Sequence, residues 1–167
     1  RDVVPADARF PELLSDGERL LLLYQDVEGE GEEREIFIRG RSSVQGRSFS
    51  DPFTVAGPFP ARTETIPVVY SAVVGRDRSV HVAVVASPQS TEIYRAAGDS
   101  TSFERTATIE TRVTNVAPRI FQTSGEALLL FVNQNVGATQ AILYSRSEQG
   151  ENWSELRRLE EDDEVGL

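Results

Sequence analysis

Several residue types are missing or rare in this chain of 167 residues, and each absence excludes a class of chemistry. There is no cysteine, so disulfides, thiolate nucleophiles and cysteine-ligated zinc sites are excluded. A single histidine, His81, excludes a metal site built from several histidines. Methionine is absent even at position 1, and we expect that a leader, a tag or a preceding domain comes before Arg1.

Lysine is also absent, because all 17 basic residues are arginine, against 27 acidic residues. The net charge of −10 argues against sequence-independent binding of nucleic acid, because such binding needs an excess of basic residues on one face. No apolar run approaches the length of a membrane-spanning helix.

What the sequence does contain is a threefold internal repeat. Prolines at 11, 67 and 118, isoleucines at 36, 93 and 142, and aromatic residues at 49, 103 and 153 recur in the same order about fifty residues apart. Each unit holds four short apolar or β-branched segments that are separated by Gly, Pro, Asp and Ser, which is typical of strands. The second segment of each unit is almost continuously apolar, as expected for an inner strand.

A repeat of four antiparallel strands every fifty residues predicts β-propeller blades. The predicted fold class is all-β, with about three four-stranded antiparallel blades in one partial domain over residues 1–167. The blades are expected at about 8–57, 64–112 and 115–160. The fourth strands of the first two are placed at 48–55 and 102–109. An ordinary β-sandwich with an accidental repeat is the alternative.

Three blades are fewer than a closed propeller needs, since a blade is stable only when its faces are covered. The acidic stretch after Leu159 is typical of a connector into a further blade. The missing partner is therefore either more blades of the same polypeptide or a second copy that closes a six-bladed ring.

The turns of the repeat carry a pattern of their own. The segments S-S-V-Q-G-R-S-F and R-S-E-Q-G-E-N-W resemble the Asp-box, or bacterial neuraminidase repeat, of sialidase-like propellers, which reads S-x-D-x-G-x-x-W/F. The resemblance implies a structural turn in which a carboxylate and a hydroxyl satisfy turn amides and an aromatic ring packs underneath. It assigns this role to Ser42, Gly46, Phe49, Phe103, Glu148, Gly150 and Trp153.

The resemblance to sialidases also singles out Arg9, which stands with Phe10 and Pro11 where that family opens its first blade with an arginine that binds the sialate carboxylate. A planar guanidinium suits such a site. However, the second arginine of the family is expected near 25–28, where the sequence is Q-D-V-E. Arg9 is thus a weak candidate anchor, and a charged residue at the start of a strand is the alternative.

No complete catalytic set follows from these residues. Neither a cofactor nor a metal site is predicted, because the acidic runs at 28–35 and 160–164 lack the alternation of a calcium loop. His81 lies in an alternating strand and is expected to face outward or to the rim. The leading hypothesis is a non-catalytic recognition or scaffold module that binds a glycan or a protein. From the resemblance we expect an acidic bacterial protein that is exported to the periplasm or the extracellular space. The alternative is part of a sialidase-like glycoside hydrolase that is completed by other blades.

Overall fold

A computed structural model describes residues 4–44, 46–61, 68–112, 117–136 and 139–159 of the chain. Within these ranges the protein is all-β, with one short 3₁₀ turn at Gly31–Glu33 and no α-helix. No helix there is long and apolar enough to cross a bilayer. Two of the sequence features, Pro67 and the acidic run at 160–164, lie outside the described residues.

In the described part of the chain, twelve strands form three antiparallel sheets, which we call A, B and C in chain order. Sheet A contains β1 (Arg9–Ser15), β2 (Arg19–Glu28), β3 (Glu35–Val44) and β4 (Phe53–Pro60). Sheet B contains β5 (Val69–Val74), β6 (Val80–Ser87), β7 (Ser90–Ala96) and β8 (Glu104–Glu110). Sheet C contains β9 (Arg119–Gln122), β10 (Leu128–Val136), β11 (Thr139–Ser147) and β12 (Arg157–Arg158).

Each sheet is a simple meander in which every strand pairs with its neighbours in sequence. The prediction of three four-stranded antiparallel units is therefore confirmed, and the described sheets do not close into a ring. The first strands β1, β5 and β9 contact one another in that order. Sheets A, B and C consequently follow one another in space, with B in the middle.

Two apolar cores hold the stack together. One core lies between sheets A and B and includes Leu21, Leu23, Val82 and Val84. The other lies between sheets B and C and includes Ala83, Val85, Leu130 and Val132. Neighbouring residues of β6 thus contribute to opposite cores, because side chains alternate along a strand. This explains why β6 is continuously apolar in sequence.

Two expectations about individual segments were wrong. The fourth strands begin later than predicted, at Phe53 and Glu104, because the residues around Phe49 and Phe103 form the preceding turns. His81 does not face outward: it is 3% exposed. Since sheet B is covered on both faces, the side of β6 opposite Val80 and Val82 is buried as well.

Candidate functional site

A polar cleft of about 300 Å³ lies between sheets B and C. It lies at the end of the sheets where the β5 to β6, β9 to β10 and β11 to β12 turns come together. We call it the polar cleft; its lining residues are Asp77, Ser79, His81, Arg95, Gln122, Glu126, Leu128, Glu148, Gln149 and Glu151. A second cavity of about 240 Å³ adjoins it and shares Arg95 and Glu151.

A chain of hydrogen bonds forms the floor of the polar cleft. The Ser79 hydroxyl is 2.5 Å from Asp77 Oδ1 and 2.8 Å from His81 Nε2. Because a carboxylate can only accept, the hydroxyl proton points to Asp77, and the Ser79 oxygen accepts from Nε2–H of His81. This order fixes the tautomer of the histidine.

The electrostatics of the floor agree with that order. Burial, followed by the positive charge of Arg95, lowers the pKa of His81 to about 4, although Asp77 opposes the shift. Burial alone would raise the pKa of Asp77, but hydrogen bonds from Ser79 and the charge of Arg95 outweigh it and lower the pKa. At neutral pH the floor therefore consists of a neutral imidazole and a carboxylate.

Arg95 forms the wall between the two cavities. It pairs across the sheet with His81, so both side chains lie on the same face. Its guanidinium approaches Asp77 at 3.4 Å and Glu151 at 3.9 Å, while its Nε atom is buried without a hydrogen bond. One arginine thus links an acid of sheet B to an acid of sheet C.

The rim of the cleft is held by contacts between the turns. The Arg76 amide donates to Gln122 Oε1 at 2.9 Å, and Gln122 in turn donates to the Glu126 carbonyl at 3.2 Å.

The junction between sheets A and B differs at the position equivalent to Ser79. Arg19 occupies that position, and its guanidinium crosses to sheet B to donate to the Gly98 carbonyl at 3.0 Å. Ser79 is too short to make such a crossing.

Gly150 is one of the points at which sheet C contacts sheet B. Its carbonyl accepts from Thr106 Oγ1 of β8 at 3.0 Å and from Trp153 Nε1 at 3.1 Å. The backbone has φ +81°, and a Cβ atom there would lie 2.6 Å from Cε1 of His81. The imidazole edge therefore packs directly on the glycine, which accounts for the unpartnered Nδ1 atom of His81.

In the β11 to β12 turn, for which an Asp-box was predicted, a serine occupies the place that was expected for the carboxylate of Glu148. Glu148 is exposed and pairs with Arg146 at 2.9 Å, whereas the Gly150 amide donates to the buried Ser147 hydroxyl at 2.8 Å. The reason is strand alternation: Ser145 and Ser147 point inward, so Arg146 and Glu148 point outward. Trp153 is half-buried and packs on the core between sheets B and C.

The turn of sheet A has the same backbone pattern. The Ser42 amide donates to Ser50 Oγ at 3.1 Å, as the Arg146 amide does to Ser154 Oγ at 3.0 Å. Gly46 has φ +69°, and the side chain of Phe49 is half-buried. In sheet B, Phe103 packs against the core between sheets A and B, so the three aromatic positions are structurally equivalent.

Arg9 lies apart from the polar cleft. It is exposed at the start of β1, and β1 ends at the turn equivalent to the one that carries Asp77. The anchor candidate and the cleft are consequently at opposite ends of the sheets. Glu28 is paired with Arg39 in sheet A.

Sequence reasoning missed the polar cleft itself, whose residues come from β5 to β12 and are distant in sequence. Asp77 with Ser79 and His81 was the one available signal, because alternate residues at a strand start share a face.

Among the described residues, no three His, Asp or Glu side chains are grouped to hold a metal ion. No known family model matches the chain, and no curated protein matches its sequence.

Proposed function

We propose that the chain is a set of sialidase-like β-propeller blades that serves as a non-catalytic recognition and scaffold module. The blade assignment is supported by the consecutive packing of the sheets and by the contacts among β1, β5 and β9. Burial raises the pKa of Glu12 in β1, while a hydrogen bond from the Ala72 amide of β5 and the positive charge of Arg119 in β9 oppose the shift. First strands that converge in this way are typical of blades around an axis.

The observation that carries the non-catalytic assignment is the direction of the hydrogen bonds at Ser79. A serine nucleophile needs a base that removes its proton. Here the Ser79 hydroxyl donates a hydrogen bond to Asp77, whose lowered pKa makes it a weak base. The His81 Nε2 atom is itself a donor to Ser79, so the imidazole cannot activate the hydroxyl. The residues that most resemble a catalytic set thus act to hold the shape of the cleft.

The charge of the cleft favours a protein partner that presents a basic side chain. Four carboxylates, those of Asp77, Glu126, Glu148 and Glu151, line the cleft together with Arg95. Two further arginines pair with them from outside the lining, Arg76 with Glu126 at 3.7 Å and Arg146 with Glu148 at 2.9 Å. The four acids therefore exceed their three arginine partners by one negative charge. A partner arginine or lysine gains from these charges, while the carboxylate of a sialic acid would be repelled. The volume of about 300 Å³ is at the small end of the range for ligand pockets, and accommodates one such side chain.

Titration of the ¹⁵N-labelled chain with short peptides that differ only in one central residue tests this proposal. An arginine peptide is expected to shift the amides of residues 75–79 and 148–152, and a glutamate peptide should not. Glu151→Gln should weaken arginine-peptide binding about two- to fivefold, the size of one partly exposed charge contact. Glu110→Gln, which alters an exposed acid at the far end of β8, is the matched control.

Two results would overturn the proposal. Equal shifts with arginine, glutamate and neutral oligosaccharide probes would mean that the cleft does not select a basic group, and preferential binding of the oligosaccharide would favour a glycan ligand instead. Hydrolysis of a fluorogenic sialoside by the purified chain, abolished in Arg9→Ala, would show that the module is catalytic.

A further inference from the structure

Each junction in the stack joins two unlike faces. We call the side of a sheet that points toward the preceding sheet its front face and the other side its back face. The front face of sheet B contributes Ala72, Val80 and Val82 to the core with sheet A. Its back face contributes Ala83 and Ile93 to the core with sheet C. Every internal contact is therefore back face against front face.

The back face of sheet C carries large apolar residues that no described sheet covers. Phe121 and Ile142 are each 50% exposed. Phe121 packs edge-on against Phe131 at 6.0 Å, and Phe131 lies 6.2 Å from Tyr144. Strand register equates Phe121 with Leu14 of sheet A, which packs into the core between sheets A and B. This face thus has the composition of a junction without a partner.

The front face of sheet A is the complementary case. Leu13 is 59% exposed, and Leu20 and Leu22 are half-buried. Register equates Leu13 with Ala72 of sheet B and Leu20 with Val80, both of which are buried against sheet A. The residues that would receive a preceding sheet are present, and no described sheet packs on them.

The aromatic residues of the turns also indicate that the front face of sheet A is open. Phe103 stacks on Phe53 of the preceding sheet, with ring centroids 6.2 Å apart, and Trp153 packs on the core with its own preceding sheet. Phe49 occupies the equivalent position in sheet A, for which there is no preceding sheet among the described residues. Two of the three aromatics thus close a junction, and the third belongs to an open one.

We propose that a second copy of this chain covers both open faces, so that the back face of sheet C in each copy packs on the front face of sheet A in the other. The two open faces differ, and a single kind of partner that covers both must offer one front face and one back face. A second copy offers both. Two copies give six sheets, which lies within the four to eight blades of closed propellers.

This inference rests on the blade stacking of the proposed function, but not on the polar cleft. A chain that is monomeric and still binds the arginine peptide would remove the inference and leave the recognition proposal intact. Conversely, a dimer that does not bind the peptide would retain the inference.

Light scattering after size-exclusion chromatography tests the association. The wild-type chain should elute with twice the mass of a single chain of 18.5 kDa at micromolar concentration. Phe121→Arg and Leu13→Glu alter the two open faces separately, at exposed positions, and each is expected to give a monomer. Thr108→Glu, on the exposed side of β8, is the matched control and should remain dimeric.

Mixing the two variants gives the sharper result. In a mixed pair one junction is wild-type and the other brings the introduced arginine close to the introduced glutamate, so the equimolar mixture should recover the dimer mass that neither variant has alone. A wild-type monomer throughout the concentration series would overturn the inference. So would a dimer that Phe121→Arg dissociates and Leu13→Glu does not, because that pattern indicates two sheet C faces packed on each other. Circular dichroism checks that each variant is folded.

Discussion

Replacing Gly150 with alanine perturbs a close contact between sheets B and C. The residue has φ +81°, and the new Cβ atom would lie 2.6 Å from Cε1 and 2.8 Å from Nδ1 of His81. The left-handed backbone costs an L-residue about 1 kcal/mol. Overpacking against a buried ring adds about 1 to 3 kcal/mol. We therefore expect the free energy of unfolding to fall by about 2 to 4 kcal/mol.

Gly46 provides the matched control, because it occupies the equivalent turn on the open face of sheet A. Its φ is +69°, and the nearest atom to an added Cβ is Leu20 Cδ1 at 3.4 Å. Gly46→Ala should thus show the backbone cost alone, about 1 kcal/mol. Urea unfolding followed by circular dichroism, at one fixed protein concentration, measures both variants.

A double-mutant cycle with His81→Ala separates the steric part. Removing the imidazole removes the two closest atoms and leaves Leu128 Cδ1 at 3.1 Å, so the cost of Gly150→Ala should drop by about 1 to 3 kcal/mol in the His81→Ala background. Equal costs for Gly46→Ala and Gly150→Ala, or a cycle without coupling, would refute the assignment of this glycine as a contact point between the sheets.

Two further predictions concern the same junction. The pKa of His81 is about 4 when folded and 6.5 ordinarily, so the unfolded chain binds more protons between these pH values, and acidification from 6.5 to 4 should lower stability by about 3 kcal/mol. His81→Leu introduces the residue that occupies the equivalent position in sheet A, Leu21. This variant should lose stability less steeply with acidification in urea unfolding, and an unchanged slope would contradict the assignment to His81. Trp153→Ala should lower the free energy of unfolding by about 2 to 4 kcal/mol. This is somewhat less than for a fully buried indole, because the ring is half-buried. A loss within measurement error would mean that the ring does not support the junction between sheets B and C.

The strand arrangement could be predicted from sequence because it depends on local patterns. The apolar segments around Leu20, Val80 and Leu128, the turn glycines and the recurring aromatics define three units of four strands without knowledge of tertiary packing. The fourth strands were less visible. Their starts at Phe53 and Glu104 follow turns that contain an aromatic residue, and an aromatic residue is also a strand former.

The site could not be predicted in the same way, because it depends on which face of each sheet is covered. His81 was expected to face outward from its alternation with Val80 and Val82, but sheet C buries that side of β6. Similarly, a pattern match placed Glu148 at the carboxylate position of the turn, whereas strand alternation directs Ser147 inward. The direction of a side chain relative to a neighbouring sheet is a property of the packing and is not encoded in local spacing.

The proposal that the stack of sheets continues into a second copy of the chain is tested most directly by cross-linking. Because the chain has no cysteine, introduced cysteines are the only thiols that can react. The double variant Leu13→Cys and Phe121→Cys should form a covalent dimer with a short bismaleimide at micromolar concentration, because each junction brings one cysteine of each kind together. Leu13→Cys or Phe121→Cys alone should remain a single chain on a denaturing gel. No cross-linked dimer from the double variant, or an efficient dimer from Phe121→Cys alone, would contradict the account.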